Sequence, residues 1–167
     1  MAGFLKRFWP LVAFFILLVA IGLFFLAHTM LPGPQAAVEG YIEASLHYDV
    51  DGMLFFASDY QKKALAGNAD VSEDRLRDNL KKFYSSGAVS AETAEITFSG
   101  QSVTAVDPKS ERYHTYLHEY GYKADPGAVN GMAVVTLTSD VGGRRAHYRV
   151  VAVKLGLRWY YGFPVFE

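Results

Sequence analysis

The chain has no cysteine. Disulfides are therefore impossible, lipid attachment through an N-terminal cysteine is excluded, and the redox compartment is left open. Charge of one sign is also missing in excess, with 16 Lys+Arg against 17 Asp+Glu. Lys6 and Arg7 are the only charged residues before Pro32, so the remainder is acidic on balance. That balance gives no support to nucleic-acid binding. With 167 residues the chain has room for one domain plus an appendage.

Charge is absent altogether from Phe8 to Ala27, which reads FWPLVAFFILLVAIGLFFLA. At ~1.5 Å per residue a helix of this length spans ~30 Å, about the hydrocarbon thickness of a bilayer. Trp9 suits the headgroup zone, and Pro10 suits a first helical turn. The run predicts a cytoplasmic N-terminus over residues 1–7 and a transmembrane anchor over 8–31. The rival reading is a cleaved signal peptide, but its apolar core is shorter and ends at a small-x-small site, which is absent here. The Lys6–Arg7 flank predicts that residues 32–167 lie outside the cytoplasm, in a periplasm or cell exterior. The expected protein is thus a single-pass signal-anchor protein of a bacterial envelope.

Pro32-Gly33-Pro34 breaks that run. Beyond it, Val38, Tyr41, Ile42, Ser45 and Leu46 share one face of a helix. Asp51 is expected to cap a short second helix through MLFFAS, with polar chain continuing through DYQKKALAG. Ser72 opens a third helix, in which Leu76, Leu80, Phe83 and Tyr84 recur at helical spacing and Gly87 is the stop. The period then changes to alternation. AETAEITFSGQSVTAVD reads as a hairpin turning at Ser99-Gly100-Gln101, and GMAVVTLTS, RAHYRVVAVKL and RWYYGFPVF as three further strands. Between them, Asp107 and Pro108 open an amphipathic helix whose stripe is Tyr113, Tyr116, Leu117 and Tyr120. Helices followed by an antiparallel meander give an α+β domain.

Two stretches carry a family resemblance: VEGYIEASLHYDVDGMLFFAS, an aromatic-plus-small helix leaving through an Asp-rich turn, and KLGLRWYYGF, a terminal Gly-x-Trp hairpin. Residues 34–167 resemble in layout the nuclear transport factor 2-like (NTF2-like) superfamily. The resemblance implies a cone of three helices packed on a curved antiparallel sheet, here with an inserted short helix. That superfold hosts isomerases, dehydratases, binding modules and secretion-system scaffolds, so it does not give a function. Its enzymes place an Asp, His or Tyr inside the cone as acid or base. The corresponding pocket candidates here are Tyr41, Ser45, Asp59 and Tyr60, which form no recognisable catalytic set.

His114 and His118 stand four apart with Glu111 one turn before, but the Glu of His-Glu-x-x-His is missing. No metal or cofactor is therefore implied. Arg145, His147 and Arg149 alternate along one strand and project from one sheet face. Just beyond, Val150 to Val153 are apolar on both faces, and such a strand needs cover on both sides. Arg145, His147, Arg149, Val151 and Val153 are thus the candidate interface. The expectation is a membrane-anchored interaction or scaffold module with a protein partner or a second copy of itself. An enzymatic or small-molecule-binding cone is the alternative.

Overall fold

A proline at the first helical position loses nothing, because its missing N–H would have no partner there. Helix α1 (Pro34–His47) begins in this way, behind Gly33. The computed structural model describes residues 14–19, 31–86, 93–120 and 126–165. The chain divides into two units, Met1–Leu31 and Pro32–Glu167. Of the first, residues 14–19 are described, as a short helical stretch. Among the described residues no helix is long and apolar enough to cross a membrane. This corrects the expected transmembrane anchor over 8–31. The single-pass topology and the periplasmic or extracellular placement rested on that anchor and fall with it. The remainder of the expected run, 8–13 and 20–30, lies outside the described residues.

The second unit is α+β. Helix α2 (Val50–Phe56) is capped by Asp49, whose Oδ1 accepts from the Gly52 N–H at 3.1 Å. Asp51 was the expected cap. It sits instead in the first turn and pairs with Arg77 at 2.9 Å and Lys81 at 2.8 Å. The expected polar connection holds a further helix, α3 (Asp59–Leu65), capped by Ser58 Oγ. Helix α3 buries none of its residues, so it has no apolar stripe to reveal it. Helix α4 (Glu73–Ser85) is capped by Ser72 and anchors Leu76 against Val50 and Leu54. Its expected stop, Gly87, lies outside the described residues.

Four strands, β1 (Ile96–Ala105), β2 (Val129–Val141), β3 (Arg144–Leu155) and β4 (Arg158–Pro164), form an antiparallel meander in that order. The hairpin expected at Gly100 is a bulge: β1 continues past it, with the register to β2 shifting between Ser99 and Ser102. Gly100 takes the left-handed conformation that glycine adopts without strain, at φ 62°. Helix α5 (Glu111–Glu119) is inserted between β1 and β2 and is capped by Ser110 rather than Asp107. Asp107 forms the preceding turn, its carboxylate accepting from the Lys109 N–H at 2.9 Å.

The sheet is covered on both faces by this chain. On one face Val38, Tyr41 and Ile42 of α1 pack on Val135, Leu137, Val150, Ala152 and Tyr161. On the other, Tyr113 and Leu117 of α5 pack on Met132, Val134, Val151, Val153 and Phe163. The two-sided apolar stretch of β3 therefore needs no second subunit.

A second bulge sets where the last strand points. Val151 pairs with Phe163 and Ala152 with Tyr161, leaving Gly162 between them without a partner. The extra residue reverses the alternation. Trp159 and Tyr161 join the α1-side core, whereas Phe163 and Val165 join the α5 side. The continuous face expected for Trp159, Tyr161, Phe163 and Val165 is thus split, and Trp159 is only partly buried. Glycine is required at the bulge, because a Cβ at Gly162 would press into the Val151 carbonyl oxygen.

Candidate functional site: the open sheet face

Beneath α1 the core packs around two tyrosines. The Tyr41 and Tyr161 rings stack with centroids 4.1 Å apart. Gln61 Nε2 donates to Tyr41 Oη at 2.7 Å, and Ser45 Oγ donates to the Tyr41 carbonyl at 2.8 Å. Burial raises both phenol pKa values above the ordinary range, so neither ring is a base near neutral pH. The four pocket candidates do not converge. Asp59 is exposed on α3 and lines a surface hollow with Lys62, Lys63 and Glu73. Tyr60 reaches round β4 to the opposite layer, where its ring meets Tyr120 at 5.1 Å and Phe163 at 5.9 Å. Tyr60 packs with the α5-side cluster and Tyr41 with the α1-side cluster, so these two do not meet. Of the four, Tyr41 and Ser45 are joined by a hydrogen bond, whereas Asp59 and Tyr60, consecutive in α3, face different surroundings.

The histidine pair of α5 gathers no third metal ligand among the described residues. Among the described residues no group of three or more His, Asp or Glu could hold a metal.

The five interface candidates do share one face, and they divide into two parts. Val151 and Val153 are fully buried under α5. Their side chains are core, and this corrects the reading that a partner covers them. Arg145, His147 and Arg149 continue the same face, with Arg149 half-buried and Arg145 and His147 exposed. Across the ladder they stand opposite Asp140, Thr138 and Thr136. Arg145 Nε donates to Asp140 Oδ2 at 3.0 Å, and Thr138 Oγ1 lies 2.8 Å from His147 Nδ1. One step further across the sheet, β2 pairs with β1, so Ser102, Ser99 and Thr97 extend this face. The result is a bare surface rich in hydroxyls with a basic row along one side.

Beside that surface the two edges of the sheet differ. The outer edge of β4 is met at one point: Ser58 N donates to the Tyr161 carbonyl at 2.9 Å, and Ala57 forms a parallel bridge to Tyr161. Strand β1 pairs with β2 alone among the described residues, and from Ile96 to Ala105 it carries no charge and no proline. Natural edge strands are commonly blunted by such residues. The hydroxyl face and the Arg112 side chain beside it escaped sequence reasoning, because Ser and Thr in a strand look like any solvated surface. No family model, curated protein or solved structure matches the chain.

Proposed function

We propose that residues 32–167 are a protein-interaction module whose contact surface is the open half of the sheet. The observation that carries this reading is the unequal cover of one face. Helix α5 shields Val151 and Val153, Arg149 next to them is half-buried, and Arg145 and His147 are exposed. A partner with acidic side chains would meet a surface already supplied with cations and hydroxyl groups. Such charges contribute mainly to steering and selectivity, with strong salt dependence. The Tyr41–Tyr161 stack beneath α1, with both phenols held protonated by burial, favours this reading over a catalytic cone. The likeness to NTF2-like domains belongs to the same proposal, supported by helices that precede a four-stranded antiparallel meander.

A photo-crosslinking amino acid at Thr138 tests the reading in cells expressing the full chain. An adduct at Thr138, absent from the exposed α1 position Glu43 and reduced by Arg145→Glu, is the expected outcome. Absence of any Thr138 adduct, or adducts equal at both positions, overturns it.

A further inference from the structure

The loop that leads into α5 leaves a hollow of about 500 Å³ against the sheet. That volume lies within the roughly 300–1,000 Å³ of small-molecule sites. Its buried lining is apolar: Val134 and Val106 are 7% and 8% exposed, and both belong to the α5-side core. Its polar lining offers a ligand one charge of each sign. Arg112 of α5 and Asp107 of the preceding turn both border the hollow. Among the described residues neither is ion-paired, with the other or with any third group. One Asp107 carboxylate oxygen accepts from the Lys109 N–H at 2.9 Å, which leaves the second oxygen open. Arg149 also borders the hollow, but it is engaged elsewhere.

Two opposite charges that border one hollow without pairing suit a ligand that carries both charges itself. We infer that the hollow binds a free α-amino acid with an aliphatic side chain. The ligand carboxylate would accept from the Arg112 guanidinium, whose planar fork matches it. The ligand ammonium would donate to the open oxygen of Asp107, and both bonds are of the stronger, charge-assisted kind. The side chain would rest on Val106 and Val134, where burial of apolar surface favours it. A balanced pair of charges also discriminates: a simple anion meets the Asp107 carboxylate as a like charge, and a simple cation meets Arg112. The site lies across the sheet from the tyrosine pair beneath α1, and it stands whether or not the open face binds a protein.

Titration of the full chain followed by amide NMR tests the inference, with leucine, isocaproate, isoamylamine and glycine as separate probes. Isocaproate is leucine without the ammonium, isoamylamine is leucine without the carboxylate, and glycine lacks the side chain. Leucine should saturate, with the shifts centred on Thr104, Arg112 and Val134. The other three should each bind about fivefold or more weakly, the scale of one solvent-open charge pair or a small apolar contact. Arg112→Gln and Asp107→Asn change exposed positions, and Asn keeps an acceptor for the Lys109 N–H, so the fold is retained. Each should weaken leucine about fivefold, while Asp107→Asn should leave isocaproate no weaker. A single-charge probe as tight as leucine, or leucine indifferent to either variant, would remove one of the two charges from the site and sink the proposal. Glycine as tight as leucine would remove the role of the valines, and a leucine titration that moves no amide of the hollow overturns the site outright.

Discussion

Tyr41 of α1 and Tyr161 of β4 stack at 4.1 Å with their planes 26° apart, joining the first helix of the domain to its last strand. Each residue also has a separate tie: the Tyr41 hydroxyl accepts from Gln61 on α3, and the Tyr161 backbone carbonyl accepts from the Ser58 N–H. Tyr41→Phe keeps the stack and deletes one hydrogen bond, so it should cost about 0.5–1.5 kcal/mol in urea unfolding. Tyr161→Ala deletes the ring and should cost about 3–5 kcal/mol, as loss of a buried aromatic does. Equal costs for the two changes would show that the stack contributes nothing beyond the hydrogen bond.

The same pair sets an alkaline limit. Burial raises both phenol pKa values, chiefly by desolvation of the charged form. A phenol that holds its proton more tightly when folded contributes stability below the unfolded value of about 10 and loses it as pH rises through the folded value. Thermal stability should therefore fall as pH is raised above about 10. Tyr41→Phe should flatten that fall; an unaltered slope would assign the alkaline loss to other groups.

At the acid end, α4 is held to its neighbours by ion pairs. Lys81 hydrogen bonds to Asp51 at 2.8 Å and Lys62 to Glu73 at 2.6 Å, with Arg77 joining both carboxylates. The Lys81 contact holds Asp51 below its ordinary pKa, and the Lys62 contact does the same for Glu73. A depressed folded value contributes stability above the unfolded pKa of about 4 and loses it as pH falls through the folded value. Melting temperature should drop on acidification below about pH 4, less steeply in an Asp51→Asn/Glu73→Gln variant. Identical slopes would show that these pairs are not linked to folding.

How much of this was legible follows from which signals are local. The stripes of α1 and α5 could be read because their buried residues recur at 3.6-type spacing. Helix α3 could not, since DYQKKAL buries no residue fully and its partly buried Tyr60 and Leu65 pack against different clusters, so they mark no single stripe. Val150 to Val153 announced that both faces need cover, but which element supplies it is a tertiary fact. Helix α5 had been seen as a helix without its place on the sheet. The site was less legible still. Alternation put Arg145, His147 and Arg149 on one face, yet the Thr and Ser residues beside them arrive through cross-strand pairing. A pattern read along one strand does not carry that pairing.

Gly162 shows the limit most sharply. Alternation from Trp159 predicts one face through Val165, and a single unpaired residue reverses it. Gly162→Ala would drive a methyl toward the Val151 carbonyl oxygen. Overpacking of this kind costs about 1–3 kcal/mol. The variant should also disturb the Val151–Phe163 pairing while leaving Lys154–Trp159 unchanged, as cross-strand nuclear Overhauser contacts would report. A variant as stable as the parent would mean that the bulge relaxes freely and does not fix the register.

One face of β3 holds both core and surface. Val151 is fully buried beneath α5, whereas the Arg145 side chain, on the same face of β3, is 74% exposed. If α5 covers Val151 in the isolated chain, Val151→Asp places an unpaired carboxylate among Phe163, Leu117 and Val134. No cation of that cluster can neutralise it, so the cost should exceed about 4 kcal/mol and abolish cooperative unfolding. Arg145→Ala loses one surface ion pair and should shift stability by no more than about 0.5 kcal/mol. Circular dichroism melts of both variants, beside sedimentation of each, give the answer. A folded Val151→Asp chain that differs from the parent only in association would restore Val151 to an interface and remove α5 as its cover.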